Sequence, residues 1–304
     1  MHLHFATADV FTERLFGGNP VAVVLNAEGL STEAMQAIAS EFNLSETTFV
    51  MPPHDPVHTA RVRIFTPRVE VPFAGHPNVG TAFVLAREMV ARNEAVPDQF
   101  VFEEEAGLVP VRPLRDDSSI VGAELTAPEP LSRLGRLAPE AAAALLTLRP
   151  EDVVTAAHAP QVISVGLPFL AVELASREAL RRARPNLAAY AAHLPLDGAD
   201  AVYAYTHDVG DNASETGTDV QARMFAPLDG IIEDPATGSA TAAAVALLTD
   251  LRGTPELTLR VGQGVDMGRP SLLLARARWE GTILTAFVGG RCVRAMRGSF
   301  ELKQ

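Results

Sequence analysis

Arg63-Ile64-Phe65-Thr66-Pro67 runs through a short loop into Ala74-Gly75-His76-Pro77 and an apolar stretch to Ala86. Arg223-Met224-Phe225-Ala226-Pro227 runs through a slightly longer loop into Thr237-Gly238-Ser239-Ala240 and an apolar stretch to Leu248. The copies begin 160 residues apart in a chain of 304. Each reads as strand, turn, glycine, helix. Neither helix has a polar face, and a helix that is apolar all round is a buried one. A buried helix start must satisfy its free N–H groups, a task that falls to the polar residues beside the glycine. Two such starts related by a repeat predict one anion-binding site built between two similar halves.

The surrounding sequence extends this pattern. Leu3–Phe11, Val21–Leu25, Thr47–Met51, Thr59–Thr66, Gln99–Glu103 and Leu108–Val111 read as strands in the first half. Ser31 is placed to cap a helix with Met35, Ile38, Ala39 and Phe42 on its apolar face. The first buried helix is expected to begin at Pro77, with His76 as its cap. The second half repeats the style. It has strands at Gln161–Val165, Phe169–Leu174, Ala201–Tyr205 and Val220–Phe225, and a helix from Ser176 to about His193 that breaks at Pro185. A buried helix follows from about Ser239 to Thr249. Four closing strands are expected at Glu256–Val261, Ser271–Arg278, Thr282–Val288 and Cys292–Phe300. The fold class is α+β: two pseudo-symmetric domains, each a β-barrel-like sheet wrapped around a central buried helix. The boundary falls at 126/127, before the proline-rich Pro128–Pro150 stretch, with a last strand at about 291–304 packing back onto the first domain.

Composition narrows the function. Apolar residues make up 47% and charged residues 20%, as in ordinary globular domains. A net charge of −12 argues against a nucleic-acid surface. The start shows no basic segment followed by a long apolar run, and no stretch of 18 apolar residues occurs, so a cytoplasmic protein with no membrane span is expected. Cys292 is the single cysteine, which leaves no internal disulfide and no cysteine-pair chemistry. Lys303 is the single lysine, and its near-terminal place suits no pyridoxal Schiff base.

Four places can carry chemistry. His76, after Gly75, can bond a ligand or shuttle a proton, or can simply cap its helix; the repeat favours a functional role. Asp234, in Glu233-Asp234-Pro235-Ala236-Thr237-Gly238-Ser239, is its counterpart, as is Ser239, although both residue types also serve as caps. Glu46 stands among Leu44, Phe49 and Val50. An apolar setting would raise its pKa and suit it to trade protons with carbon acids, whereas the alternative is an exposed glutamate after the Ser31 helix. Asn19, in Gly17-Gly18-Asn19-Pro20, either reaches a ligand or holds its turn. His54, Asp55 and His58 read as a solvated proline-rich loop and no metal site is expected. Gly262, Gly264 and Gly268 lack the spacing and the following helix of a dinucleotide fingerprint.

Taken together these segments resemble the PhzF family of phenazine-biosynthesis isomerase-like proteins. The resemblance rests on Asp9-Val10-Phe11, Gly18-Asn19-Pro20, Leu44-Ser45-Glu46-Thr47, Phe65-Thr66-Pro67 through Gly75-His76-Pro77, Val162-Ile163-Ser164 with Gly166-Leu167-Pro168, Phe225 through Ala240, and Gln263-Gly264 with Gly268-Arg269-Pro270. It implies the diaminopimelate-epimerase-like fold with an active site in the cleft between domains, a homodimer, and chemistry without a cofactor. It places the acid/base glutamate on Glu46, the assisting histidine and aspartate on His76 and Asp234, and the helix-start serine on Ser239. A small-molecule carboxylate would be held by backbone N–H groups near Gly75, His76, Gly238 and Ser239. Related racemases carry a cysteine at each helix start, where this chain has His76 and Ser239. Proton transfer by a single base therefore fits better than two-cysteine racemisation. An amino-acid racemase or epimerase and a non-catalytic small-carboxylate-binding protein are the alternative readings.

Overall fold

A computed structural model describes residues 1–210 and 217–302; Lys303 lies outside them. The chain divides into two compact units, 1–126 with 289–304, and 127–288.

The first unit contains β1 (His2–Val10), β2 (Asn19–Leu25), α1 (Thr32–Phe42), β3 (Glu46–Met51), β4 (Ala60–Phe65), β5 (Glu70–Val71), α2 (Gly75–Ala91), β6 (Phe100–Glu104), β7 (Gly107–Asp116) and β8 (Ser119–Thr126). The later part of the chain's last strand, Ile283–Glu301, completes it. That strand pairs antiparallel with β1, from His2↔Glu301 to Val10↔Cys292. The order continues β1–β2–β3–β4–β6–β7–β8 and returns to the last strand, closing a barrel of eight strands. Closure leaves no open sheet edge. The β2–β3 and β4–β6 pairs are parallel. Helix α2 crosses from β5 to β6 and is buried without a break from Gly75 to Val84. Ser31 caps α1 through Ala34 N, and Met35 and Ala39 join a core of Leu3, Val24, Phe49 and Phe65.

The second unit contains β9 (Ser132–Arg136), α3 (Pro139–Leu145), β10 (Gln161–Ser164), β11 (Pro168–Glu173), α4 (Arg177–Arg182), α5 (Leu187–His193), β12 (Val202–Thr206), β13 (Val220–Ala226), β14 (Ile231–Asp234), α6 (Gly238–Arg252), β15 (Glu256–Gln263), β16 (Ser271–Glu280) and the start of β17 (Ile283–Glu301). Pairing runs β9–β10–β11–β12–β13–β15–β16, with β11–β12 and β13–β15 parallel, as β2–β3 and β4–β6 are in the first unit. Helix α6 is buried from Gly238 to Thr249. The sequence repeat is thus a repeat of topology: a strand, a short antiparallel arm, then the buried helix. Two pseudo-symmetric barrel-like sheets, each around one such helix, make up the α+β fold.

Several expectations need correcting. Helix α2 begins at Gly75, so Ala74 is the cap and His76 lies in the first turn. Pro77 still fits, because its missing N–H falls among the orphan donors of that turn. Neither buried helix has a side-chain cap: Ala74 offers none, and Thr237 makes no such bond. Helix α6 likewise starts one residue before Ser239. The closing strands expected at Thr282–Val288 and Cys292–Phe300 are one strand. Gly289-Gly290 reads as a break, yet a Cβ at Gly289 would lie 2.6 Å from Ala123 O, so glycine there serves close approach to β8. Strands β8 and β9 carry weak alternation and escape the sequence reading. No helix among the described residues is long and apolar enough to cross a membrane.

Candidate active site

Parallel strands start at the same end of a sheet, and this brings the polar residues of the first unit together. Glu46 opens β3 opposite Val21 of β2, and Asn19 opens β2. The first turn of α2 supplies His76. Asn19 Nδ2 lies 3.2 Å from His76 Nδ1, and His76 Nε2 lies 3.3 Å from Glu46 Oε2. Asn19 is wholly buried, the His76 side chain is 4% exposed and that of Glu46 14%. Glu46 is therefore not the exposed glutamate that its position after α1 allowed. Burial pushes the His76 imidazole down to about 3, opposed in part by a hydrogen bond with the Pro20 backbone. The ring is neutral near pH 7, so its contact with Glu46 joins a neutral imidazole to a carboxyl and is not an ion pair. Such a ring can hold a carboxyl group in place without adding positive charge.

In the second unit Asp234 ends β14, and Thr237 is the cap residue before Gly238 and Ser239. All four are buried. Thr237 Oγ1 donates to Asp234 Oδ2 at 2.5 Å and makes no cap bond to the helix.

The repeated arginines brace the arms that lead to the helix starts, a role the sequence reading did not assign. Arg63 donates twice to Glu70 at 2.6 Å and stacks over Phe65 at 5.1 Å. Arg223 donates twice to Glu233 at 2.7 Å and stacks over Phe225 at 4.8 Å. The bidentate fork fixes Glu233, the residue before Asp234. The recurrence of Arg-x-Phe in both copies was the available signal.

His54, Asp55 and His58 converge on Glu103, which accepts from the His54 and Asp55 backbone N–H groups and sits 2.8 Å from His58 Nδ1. Cys292 is buried, and burial pushes its thiol up to about 12. A thiol so held is a poor base.

Two barrel-like sheets, each around a buried helix, make an α+β architecture whose neighbours are PhzF and epimerase-like folds. The family described as phenazine biosynthesis-like protein matches residues 8–298, and the chain belongs to that family, known as PhzF. A protein of Mesorhizobium japonicum named an uncharacterized isomerase is 38% identical over 300 residues, covering 95% of this chain and 96% of its own. The trans-2,3-dihydro-3-hydroxyanthranilate isomerase of Pseudomonas chlororaphis is 34% identical over 307 residues, covering 99% and 100%. In fold, the PhzF-family phenazine biosynthesis protein of Bacillus anthracis superposes with a TM-score of 0.85 at 22% identity, over 99% of this chain and 100% of its own. The protein is an isomerase of the PhzF family.

Proposed function

We propose that this isomerase moves a proton on a small carboxylate-bearing substrate, without a cofactor, with Glu46 as the acid/base. The observation that carries this is the pairing of a largely buried Glu46 with a neutral His76 at 3.3 Å. As carboxylate, Glu46 takes a proton from a carbon beside an unsaturated system. The C–H electron pair enters that system, and the same carboxyl returns the proton at its far end, so atoms and charge balance with nothing oxidised. His76 orients the carboxyl, and Asn19 orients His76. Asp234 positions the substrate and stabilises developing charge, while backbone N–H groups near Gly75, His76, Gly238 and Ser239 bind the carboxylate. The helix starts hold His76 and Ser239, and the one cysteine is buried, which supports single-base chemistry over a cysteine pair. The same reading takes the protein as a cytoplasmic homodimer, to be checked by sedimentation.

Dihydro-hydroxyanthranilate, the substrate type named for the Pseudomonas relative, is the first compound to test. Deuterium entry from heavy water is followed by NMR for wild type and Glu46→Gln. The variant keeps shape but lacks the base, so exchange should fall at least ~10²-fold. Undiminished exchange in Glu46→Gln would sink the assignment.

A further inference from the structure

We infer that Gln263, acting through Thr237, is a positioning residue that holds Asp234 as a hydrogen-bond acceptor in a fixed orientation. Nothing in the reaction scheme above uses Gln263, and the inference rests on the role given there to Asp234.

Gln263 ends β15 and is wholly buried. Its Oε1 accepts from Thr237 N at 3.1 Å. Its Nε2 donates to Asp234 O at 2.9 Å and to Thr237 Oγ1 at 3.0 Å. One partner is an N–H, which can only donate, and one is a carbonyl, which can only accept. The amide therefore has one possible orientation, and both its hydrogens are spent. The Thr237 oxygen then receives a hydrogen bond from Gln263, and its own single hydrogen goes to Asp234 Oδ2, 2.5 Å away. The chain runs one way, from amide to hydroxyl to carboxyl. Asp234 Oδ2 must be the acceptor at its end, so the chain fixes where that oxygen points.

The backbone around this chain is held as well. Ser271 Oγ lies 3.1 Å from both Pro235 O and Arg269 O, so its one hydrogen is shared between the turn after Asp234 and the segment before β16. Gly264 adopts φ +72°, and a Cβ there would lie 2.6 Å from Pro235 O and 2.4 Å from Arg269 O. A side chain at 264 would push the turn away from Gln263. The Gln263–Ser271 segment is thus a clamp on the Asp234–Thr237 turn.

Two measurements on the full chain test this. Hydrogen exchange read by mass spectrometry follows the 234–239 segment with no substrate present. In Gln263→Leu, exchange there should quicken ~10-fold or more while the interior of α6 stays protected. Unchanged exchange in a folded Gln263→Leu overturns the clamp. Thr237→Val keeps the shape and removes the hydroxyl, whereas Thr237→Ser keeps the hydroxyl. Using deuterium entry into dihydro-hydroxyanthranilate, Thr237→Val should lose ~10-fold or more, Thr237→Ser should stay within about threefold, and Thr237→Val should cost nothing further in an Asp234→Ala background. An equal loss in that background, or a Thr237→Ser as slow as Thr237→Val, overturns positioning through Asp234. Wild-type exchange in Asp234→Ala overturns instead the role given to Asp234, and the exchange of the 234–239 segment still decides the clamp. If wild type does not exchange this compound, the segment measurement alone supports or overturns the inference.

Discussion

At the residue scale burial changes the chemistry of ionisable groups more than their neighbours in sequence do. His76 is one case and Glu104, on β6, is another. Burial pushes the Glu104 carboxyl up to about 8, and the Asn78 side chain offsets this only in part. In the unfolded chain this group titrates near the ordinary glutamate value of 4.5. Between these two values the folded chain keeps a proton that the unfolded chain has released. Stability therefore falls as pH rises from about 4.5 to about 8, and the loss is complete above that, at most about 5 kcal/mol. Glu104→Gln is neutral throughout. The variant should be more stable than wild type at pH 9, with the gap narrowing toward pH 5. Denaturation midpoints at the two pH values measure this, and parallel curves for the two proteins would rule it out.

At the scale of elements, the two copies of the strand–arm–helix unit differ in how hard their arginine braces work. Arg223 is 5% exposed and Glu233 13%, and Arg223 Nη1 also donates to the carbonyls of Leu180, Arg181 and Ala183. Removing that guanidinium leaves the largely buried Glu233 carboxylate without its bidentate partner, although the Arg181 and Ala183 carbonyls keep Arg184 Nη1 and the Leu180 carbonyl keeps Ala183 N. Arg223→Met should cost ~3–5 kcal/mol. Arg63 and Glu70 are each 26% exposed, so water replaces the lost partner and Arg63→Met should cost only ~1 kcal/mol. Urea denaturation of both variants decides it, and equal costs would refute the ranking. The arms themselves, two residues in β5 and four in β14, are too short for periodicity to reveal. The Ser31 helix is the opposite case: its cap and its Met35 and Ala39 face were legible because both signals are local.

At the scale of the molecule, the first barrel depends on the last residues of the chain. Strand β1 pairs with residues 292–301 along its whole length, and β8 meets the same strand. A chain ending at Val288 would leave β1 and β8 as open edges. Such a chain should lose slow-exchanging amides throughout 1–126, as hydrogen exchange would report. Protection equal to that of the full chain would show that the barrel does not need its closing strand.

What the sequence by itself determined is local and periodic. It set two strand–turn–glycine–helix copies, two helices with no polar face to leave exposed, and the residue types at their starts. Burial of both helices follows from composition alone, because an all-apolar helix has no stable exposed orientation. Only the tertiary structure decided which groups meet. The pairing of Asn19, Glu46 and His76 depends on the parallel register of β2 and β3, and the donor chain from Gln263 to Asp234 on β15 returning to the turn before α6. The neutrality of His76 depends on the depth of its burial. Register and burial come from contacts between residues far apart in the chain. Such contacts leave no period in the sequence, which is why His76 reads as a cap there and as a buried neutral ring in the fold.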